Sequence, residues 1–304
     1  MNIRAALASA FQSSAPSRPA DRPGAWVTAT YEASVHWEEY VDGELRSTRI
    51  TKQVRIRLSP PGPSRVVSFR TTQPILTQKE EVEHLQRLAL LLSGLYAELE
   101  MEITPKGEFG SLLNYPQLLV TWANLRGELL ANSSPDDAIT RKLIELFDAQ
   151  LEQPAKVLQS LRHDYVYQAV LACLTAPVLN AAPSGSALRE FSQFFPQVSV
   201  WFTETRELVA VAEGVPQYTL HGTPDNQQND LVAVRQAIQQ ALATNPAADP
   251  LPPDAPEEPL HLGYDATYAL APADGLPLHL TLTVYGRLAQ RYNKQYTLTL
   301  TRLP

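Results

Sequence analysis

The sequence predicts an α+β fold, with antiparallel β-meanders at both ends and a central helical layer. Two patterns and their order carry this expectation. Apolar residues alternate with period two near both termini, and they recur at helical spacing through the middle. Strands and helices come in segregated runs, which disfavours a βαβ doubly wound sheet.

The first strand opens at Val27. Val27, Ala29, Tyr31, Ala33, Val35 and Trp37 alternate with Thr28, Thr30, Glu32, Ser34, His36 and Glu38. Such a strand buries one face. Asp42-Gly43 suits a hairpin turn, since glycine accepts the positive φ required there. The return strand sets Ile50, Val54, Ile56 and Leu58 against Arg49, Thr51, Gln53, Arg55 and Arg57. Pro60-Pro61-Gly62-Pro63 ends it, and a third strand follows over 65–71.

Thr77-Gln78-Lys79-Glu80 reads as a capping box opening a helix with Val82, Leu85, Leu88, Ala89, Leu92, Leu95 and Tyr96 on one stripe. Leu99, Met101 and Ile103 then alternate with Glu98, Glu100 and Glu102, a strand with an acidic outer face. Asn114 and Pro116 open a helix carrying Leu118, Leu119, Trp122, Leu125 and Leu129. Ser134-Pro135-Asp136-Asp137 opens another, with Ile139, Leu143, Leu146 and Phe147 expected inward. Pro154 begins a fourth, carrying Val157, Leu158, Leu161, Tyr165 and Val166.

The composition turns loop-like at 181–186. Strands are expected again at Val198–Phe202, Leu208–Ala212 and Gln217–His221, with a turn at Glu204-Thr205-Arg206. A helix carries Leu231, Val234, Ile238, Ala241 and Leu242. Residues 245–259 hold six Pro and four acids, the composition of an extended linker or long loop. A last meander follows, with Tyr264, Ala266, Tyr268 and Leu270, then Leu278, Leu280, Leu282 and Val284, then Tyr296, Leu298 and Leu300. The expected organisation is a mobile tail over 1–24, a meander with its helices over 25–180, and a second sheet with one helix over 186–304.

The net charge of −7 argues against nucleic acid as a partner. The balance is +4 over residues 1–75 and −11 over the remainder. No apolar run reaches the roughly 18 residues of a membrane span, and a cytoplasmic protein is expected. Cys173 is the single cysteine, so no internal disulfide or cysteine zinc cage can form. Its apolar neighbours predict a buried, unreactive thiol.

No phosphate-binding glycine loop, Gly-x-Ser-x-Gly elbow or His-Glu-x-x-His stands in the sequence. No catalytic residue, metal ligand or cofactor is assigned. Arg162-His163-Asp164 lies in a helical pattern whose side chains fan apart, and it reads as a solvated or partner-facing patch. The Glu98, Glu100 and Glu102 row is a candidate cation site, since neighbouring carboxylates raise one another's pKa or take a cation. Arg49, Arg55 and Arg57 are candidate partner-binding residues for an acidic protein. They would instead pair with the glutamate row if the two strands were neighbours. The aromatic stretch Phe191–Phe202 and the segment Tyr292–Tyr296 close a core or present a binding surface.

Gly107-Glu108-Phe109, Leu112, Asn114, Leu118 and Trp122 form a strand–turn–helix unit over residues 107–122. It resembles a unit of uncharacterised bacterial α+β proteins, and the resemblance implies no known activity. The function expected from the sequence is that of a non-enzymatic interaction or accessory protein in a larger bacterial assembly. One alternative is a binder of a small apolar ligand in a sheet-and-helix pocket. The other is an enzyme of unrecognised class, with His36, Glu32 and the glutamate row as its groups.

Overall fold

The computed structural model describes residues 25–62, 64–72, 74–77, 88, 91–104, 108–134, 137–179, 187–212, 214–244 and 259–304. The expected tail over 1–24, the loop-like stretch at 181–186 and nearly all of the 245–259 segment lie outside them. So does most of the helix expected from Thr77, although its Leu88, Leu92 and Leu95 are described and buried.

Among the described residues the strands are β1 (Val27–Val41), β2 (Glu44–Leu58), β3 (Arg65–Thr71), β4 (Ile75–Thr77), β5 (Glu98–Ile103) and β6 (Phe109–Leu112). They continue with β7 (Ala187–Phe195), β8 (Val198–Ala212), β9 (Val215–Pro224), β10 (Leu260–Leu270), β11 (Pro277–Leu288) and β12 (Tyr292–Arg302). The α-helices are α1 (Tyr115–Asn132), α2 (Ala138–Gln150), α3 (Pro154–Arg162), α4 (Tyr165–Leu179) and α5 (Leu231–Thr244). The sheet order is β6-β5-β3-β2-β1-β12-β11-β10-β9-β8-β7, with β4 beside β2. The two meanders are therefore one antiparallel sheet, joined where β1 pairs β12 along eleven residues from Tyr31–Arg302 to Val41–Tyr292.

That sheet is strongly curled. β3 and β7 stand eight positions apart, or roughly 38 Å in a flat sheet at ~4.8 Å per strand. Both nevertheless touch α4, and a helix is only about 10–12 Å across. Tyr167 of α4 meets Phe69 of β3 with ring centroids 5.0 Å apart, and Tyr165 meets Phe191 of β7 at 5.2 Å. Tyr165 also meets Tyr296 of β12 at 4.8 Å and Trp37 of β1 at 6.2 Å. β7 itself folds across the open side: Phe191 lies 4.9 Å from Tyr264 of β10 and Phe194 lies 6.2 Å from Trp37. Gly286 of β11 permits this closure, because a Cβ there would stand 2.5 Å from Phe195 Cζ.

α4 fills the inside of the curl. Tyr165, Val166, Tyr167, Ala169, Val170, Ala172, Cys173 and Leu174 are all buried. A helix apolar on every side belongs inside a core. The helices follow one another in the sequence, but α4 is enclosed by strands, so the expected separate helical layer is not what forms.

Local expectations fare unevenly. Asp42 and Gly43 have φ of 41° and 93° and close the β1–β2 hairpin as read from the sequence. Asp137 caps α2, accepting from the Thr140 N–H at 3.0 Å. Ile139 and Leu146 were expected inward but are 49% and 56% exposed, and Thr140 and Ile144 are the buried pair. The helix expected from Pro154 onward is two, α3 and α4. Asp164 restarts the chain between them by accepting from the Val166 and Tyr167 N–H groups. The turn expected at Glu204-Thr205-Arg206 is absent, because β8 runs through it unbroken.

Candidate functional site

The sequence-expected arginines and glutamates lie on the outer face of β2, β3 and β5. β3 separates the other two, so the expected direct pairing of the basic face with the glutamate row does not occur. The cross-strand rows are Arg55–Arg70–Glu98 and Arg57–Ser68–Glu100. Arg70, which is not among the candidate arginines expected from the sequence, forms the ion pair with Glu98. Arg55 and Arg57 stay exposed, and Arg57 stacks over Trp26 at 5.0 Å. Arg49 stands further along β2 toward the hairpin, opposite His36.

The glutamate row is spent largely on structure. Ser111 Oγ donates to Glu102 Oε2 at 2.9 Å, and Glu98 faces Arg70. No group of three His, Cys, Asp or Glu side chains suited to a metal occurs among the described residues. Asn114 does not cap α1 with its side chain. Its amide instead accepts from the Glu100 N–H at 2.9 Å and donates to the Glu98 carbonyl at 2.9 Å, locking the start of α1 to β5. A cleft of about 700 Å³ opens here. It is lined by Arg55, Arg57, Arg70, Glu98 and Glu100, with Gln117 of α1 among the facing groups.

A second cleft, of about 520 Å³, lies where the α3–α4 joint meets β1, β2, β7 and β12. Val35, Trp37, Ile50, Pro74, Val166 and Tyr296 give it apolar walls. Lys52, His163, Asp164 and Ser192 add polar groups. The Arg162-His163-Asp164 triplet thus fans apart as expected, but around a helix joint and not as a solvated patch. Arg162 donates to the Phe109 carbonyl at 2.7 Å, Asp164 caps α4, and His163 turns to β7.

His163 Nδ1 lies 2.6 Å from Ser192 Oγ, and Ser192 donates to Glu190 Oε1 at 2.9 Å. Glu190 is also 3.4 Å from the same His163 nitrogen. In a nucleophilic triad the carboxylate sits on the ring nitrogen away from the serine. Here serine and carboxylate share one nitrogen, so the trio joins the helix joint to β7 and does not activate Ser192. Ser192 precedes Gln193, whose φ is 55°, inside the irregular stretch of β7 between Phe191 and Phe195. Such bulges re-aim side chains, and sequence alone did not identify this one.

The most polar part of the interior was hidden by the mistaken turn. Glu204 is 4% exposed and takes Arg189 Nε at 2.6 Å and the Tyr264 hydroxyl at 3.1 Å. Arg206 Nη2 stands 3.6 Å from the other Glu204 oxygen. Desolvation pushes the Tyr264 phenol well above its ordinary pKa, so it remains a donor. Cys173 is buried beside this group, and burial pushes its thiol up to about 12. It is inert, as its apolar sequence neighbours implied.

No protein-family model and no curated protein matches this chain. A solved structure of lipid–protein interactions in lipovitellin matches over 93% of this chain and 25% of its own, at 7% identity and a TM-score of 0.38. The chain thus spans about a quarter of that protein's length.

Proposed function

We propose that this chain is a non-enzymatic binding protein that takes a small amphipathic ligand in the cleft at the α3–α4 joint. The observation that carries the reading is the composition of that cleft. Its walls are Trp37, Tyr296, Val35, Ile50 and Val166, and Lys52, His163, Asp164 and Ser192 are among its polar lining groups. A pocket of roughly 300–1,000 Å³ with mainly apolar walls and a few placed polar groups is the usual form of a small-molecule site. Burial pushes the Asp164 carboxyl above its usual range, with Lys52 in electrostatic reach opposing it, so the cleft offers a cation and a carboxyl group to a polar head.

The test is binding of N-phenyl-1-naphthylamine, an apolar fluorophore, displaced by dodecanol. Saturable one-to-one binding is expected, with at least a tenfold loss in Trp37→Ala. Absence of saturable binding by folded protein would sink the reading.

A second reading rests on the outer cleft. Arg55 and Arg57 are exposed and make no ion pair among the described residues, and Arg70 adjoins them. This favours an accessory role in which an acidic protein surface docks there. Arg55→Glu/Arg57→Glu protein, compared with the unmodified chain by affinity purification from its own cells, should lose a stoichiometric partner. Identical recoveries would remove the reading.

A further inference from the structure

The inward face of β8 changes character along its length. Val200 and Phe202 are fully buried and Glu204 nearly so, Arg206 has a side chain 11% exposed, and Leu208 is 55% exposed. Arg206 therefore stands at the boundary between the closed core and an open apolar end. Beyond it Val209 and Val211 are exposed as well. Tyr218 lies opposite Leu208 and stacks on Tyr268 at 5.0 Å, and both rings are buried next to the open end.

Arg206 is short of acceptors. Nη2 reaches the Ala172 carbonyl at 3.4 Å, but Nε and Nη1 are buried with no hydrogen-bond partner among the described residues. Three of the five guanidinium N–H bonds are thus unused. The Tyr268 hydroxyl is also buried without a partner among the described residues, and the Arg206 guanidinium lies 5.9 Å from the Tyr268 ring. Around Glu204 there are two guanidiniums and one carboxylate, since the Tyr264 and Cys173 side chains stay neutral. The group carries one positive charge in excess. Buried polar groups nearly always find partners, whereas Arg206 shares the single Glu204 carboxylate with Arg189 and makes only the looser contact.

We infer that Arg206, with Tyr268 beside it, forms an anion site for a carboxylate at the inner end of the apolar surface where exposed Leu208 adjoins the buried rings of Tyr218 and Tyr268. A carboxylate there neutralises the excess charge and accepts from donors that otherwise have none. It can belong to a small free acid or to the head of a fatty acid whose chain lies along Leu208. The site is separate from the cleft at the α3–α4 joint, and its failure would leave that reading untouched.

The experiment titrates the full chain with sodium acetate and, separately, with sodium dodecanoate below its micelle concentration, in zwitterionic buffer without added salt. Calorimetry reads affinity, and [1-13C] label reads the bound carboxyl group. Saturable binding is expected, with the bound carboxyl titrating at lower pH than the free acid because a guanidinium faces it. Dodecanoate at least tenfold tighter than acetate assigns the site to an amphiphile, and equal affinities assign it to a small free acid. Because the cleft at the α3–α4 joint also accepts a dodecyl chain, both titrations are repeated in Trp37→Ala protein, where Arg206→Met should weaken the remaining binding of either ligand at least tenfold, as loss of charge-assisted hydrogen bonds implies. The inference is overturned if folded unmodified chain binds neither acid, if the bound carboxyl keeps its free titration, or if folded Arg206→Met binds as well as the original. The carboxyl titration in the Trp37→Ala chain decides the matter even should Arg206→Met not fold.

Discussion

Gly286→Ala tests how the sheet closes. The new methyl carbon would stand 2.5 Å from Phe195 Cζ and 3.3 Å from Leu262 Cδ2. Phe195 is fully buried and has little freedom to retreat. Overpacking of this kind typically costs about 1–3 kcal/mol. Phe195→Leu removes the far end of the ring and opens a small cavity of its own, so it also destabilises. Combined, the two changes should cost less than their sum by about 1 kcal/mol, within the usual range of coupling between touching residues. Gly127→Ala is the control. It lies exposed in α1 with nothing within 4 Å of the added carbon, so it should be neutral or stabilise by up to about 1 kcal/mol through helix propensity. Urea unfolding midpoints at constant m-value measure all four proteins. A Gly286→Ala protein as stable as the original, or strict additivity with Phe195→Leu, would refute the packing of β7 over β11.

Asn114→Ala should destabilise by about 1–3 kcal/mol, because it leaves the Glu100 N–H and Glu98 carbonyl without their partner; chemical denaturation checks it. Asp137→Ala should cost about 1 kcal/mol through loss of the α2 cap, read from the same curves. Cys173 should resist aromatic disulfide reagents in native protein at pH 8 and react only after unfolding, followed by absorbance. Its folded pKa of about 12 lies above the ordinary value of 9.0, so the folded state holds the proton longer. The resulting stability is complete below pH 9 and falls as pH rises from 9 toward 12, and Cys173→Ala should flatten that part of the pH–stability curve.

The strand faces were legible because period two is a strong local signal. Val54, Ile56 and Leu58 are buried as read, and Leu99, Met101 and Ile103 likewise. The curl was not legible, since the β1–β12 pairing and the closure by Phe194 and Phe195 join residues far apart in the chain. The aromatic stretch hinted at closure without showing across what. Arg49, Arg55, Arg57 and the glutamates were placed on the right faces, but their partners depended on β3 lying between them. Glu204 and Arg206 misled because charged residues in the middle of a strand resemble a turn. Only the buried pairing with Arg189 shows why they can face inward. Ser192 and His163 meet through a bulge that carries no strong sequence mark.

Contact quenching of Trp37 reports directly whether a ligand occupies the cleft at the α3–α4 joint. Trp26, Trp122 and Trp201 are replaced by Phe, leaving Trp37 in the cleft wall as the only tryptophan, and the protein is titrated with bromine-substituted dodecanol, which quenches only at near contact. Saturable, one-to-one loss of Trp37 emission is expected, and none in a matched protein whose only tryptophan is Trp122, which does not line the cleft. Unchanged Trp37 emission, or equal quenching of both proteins, would contradict binding there.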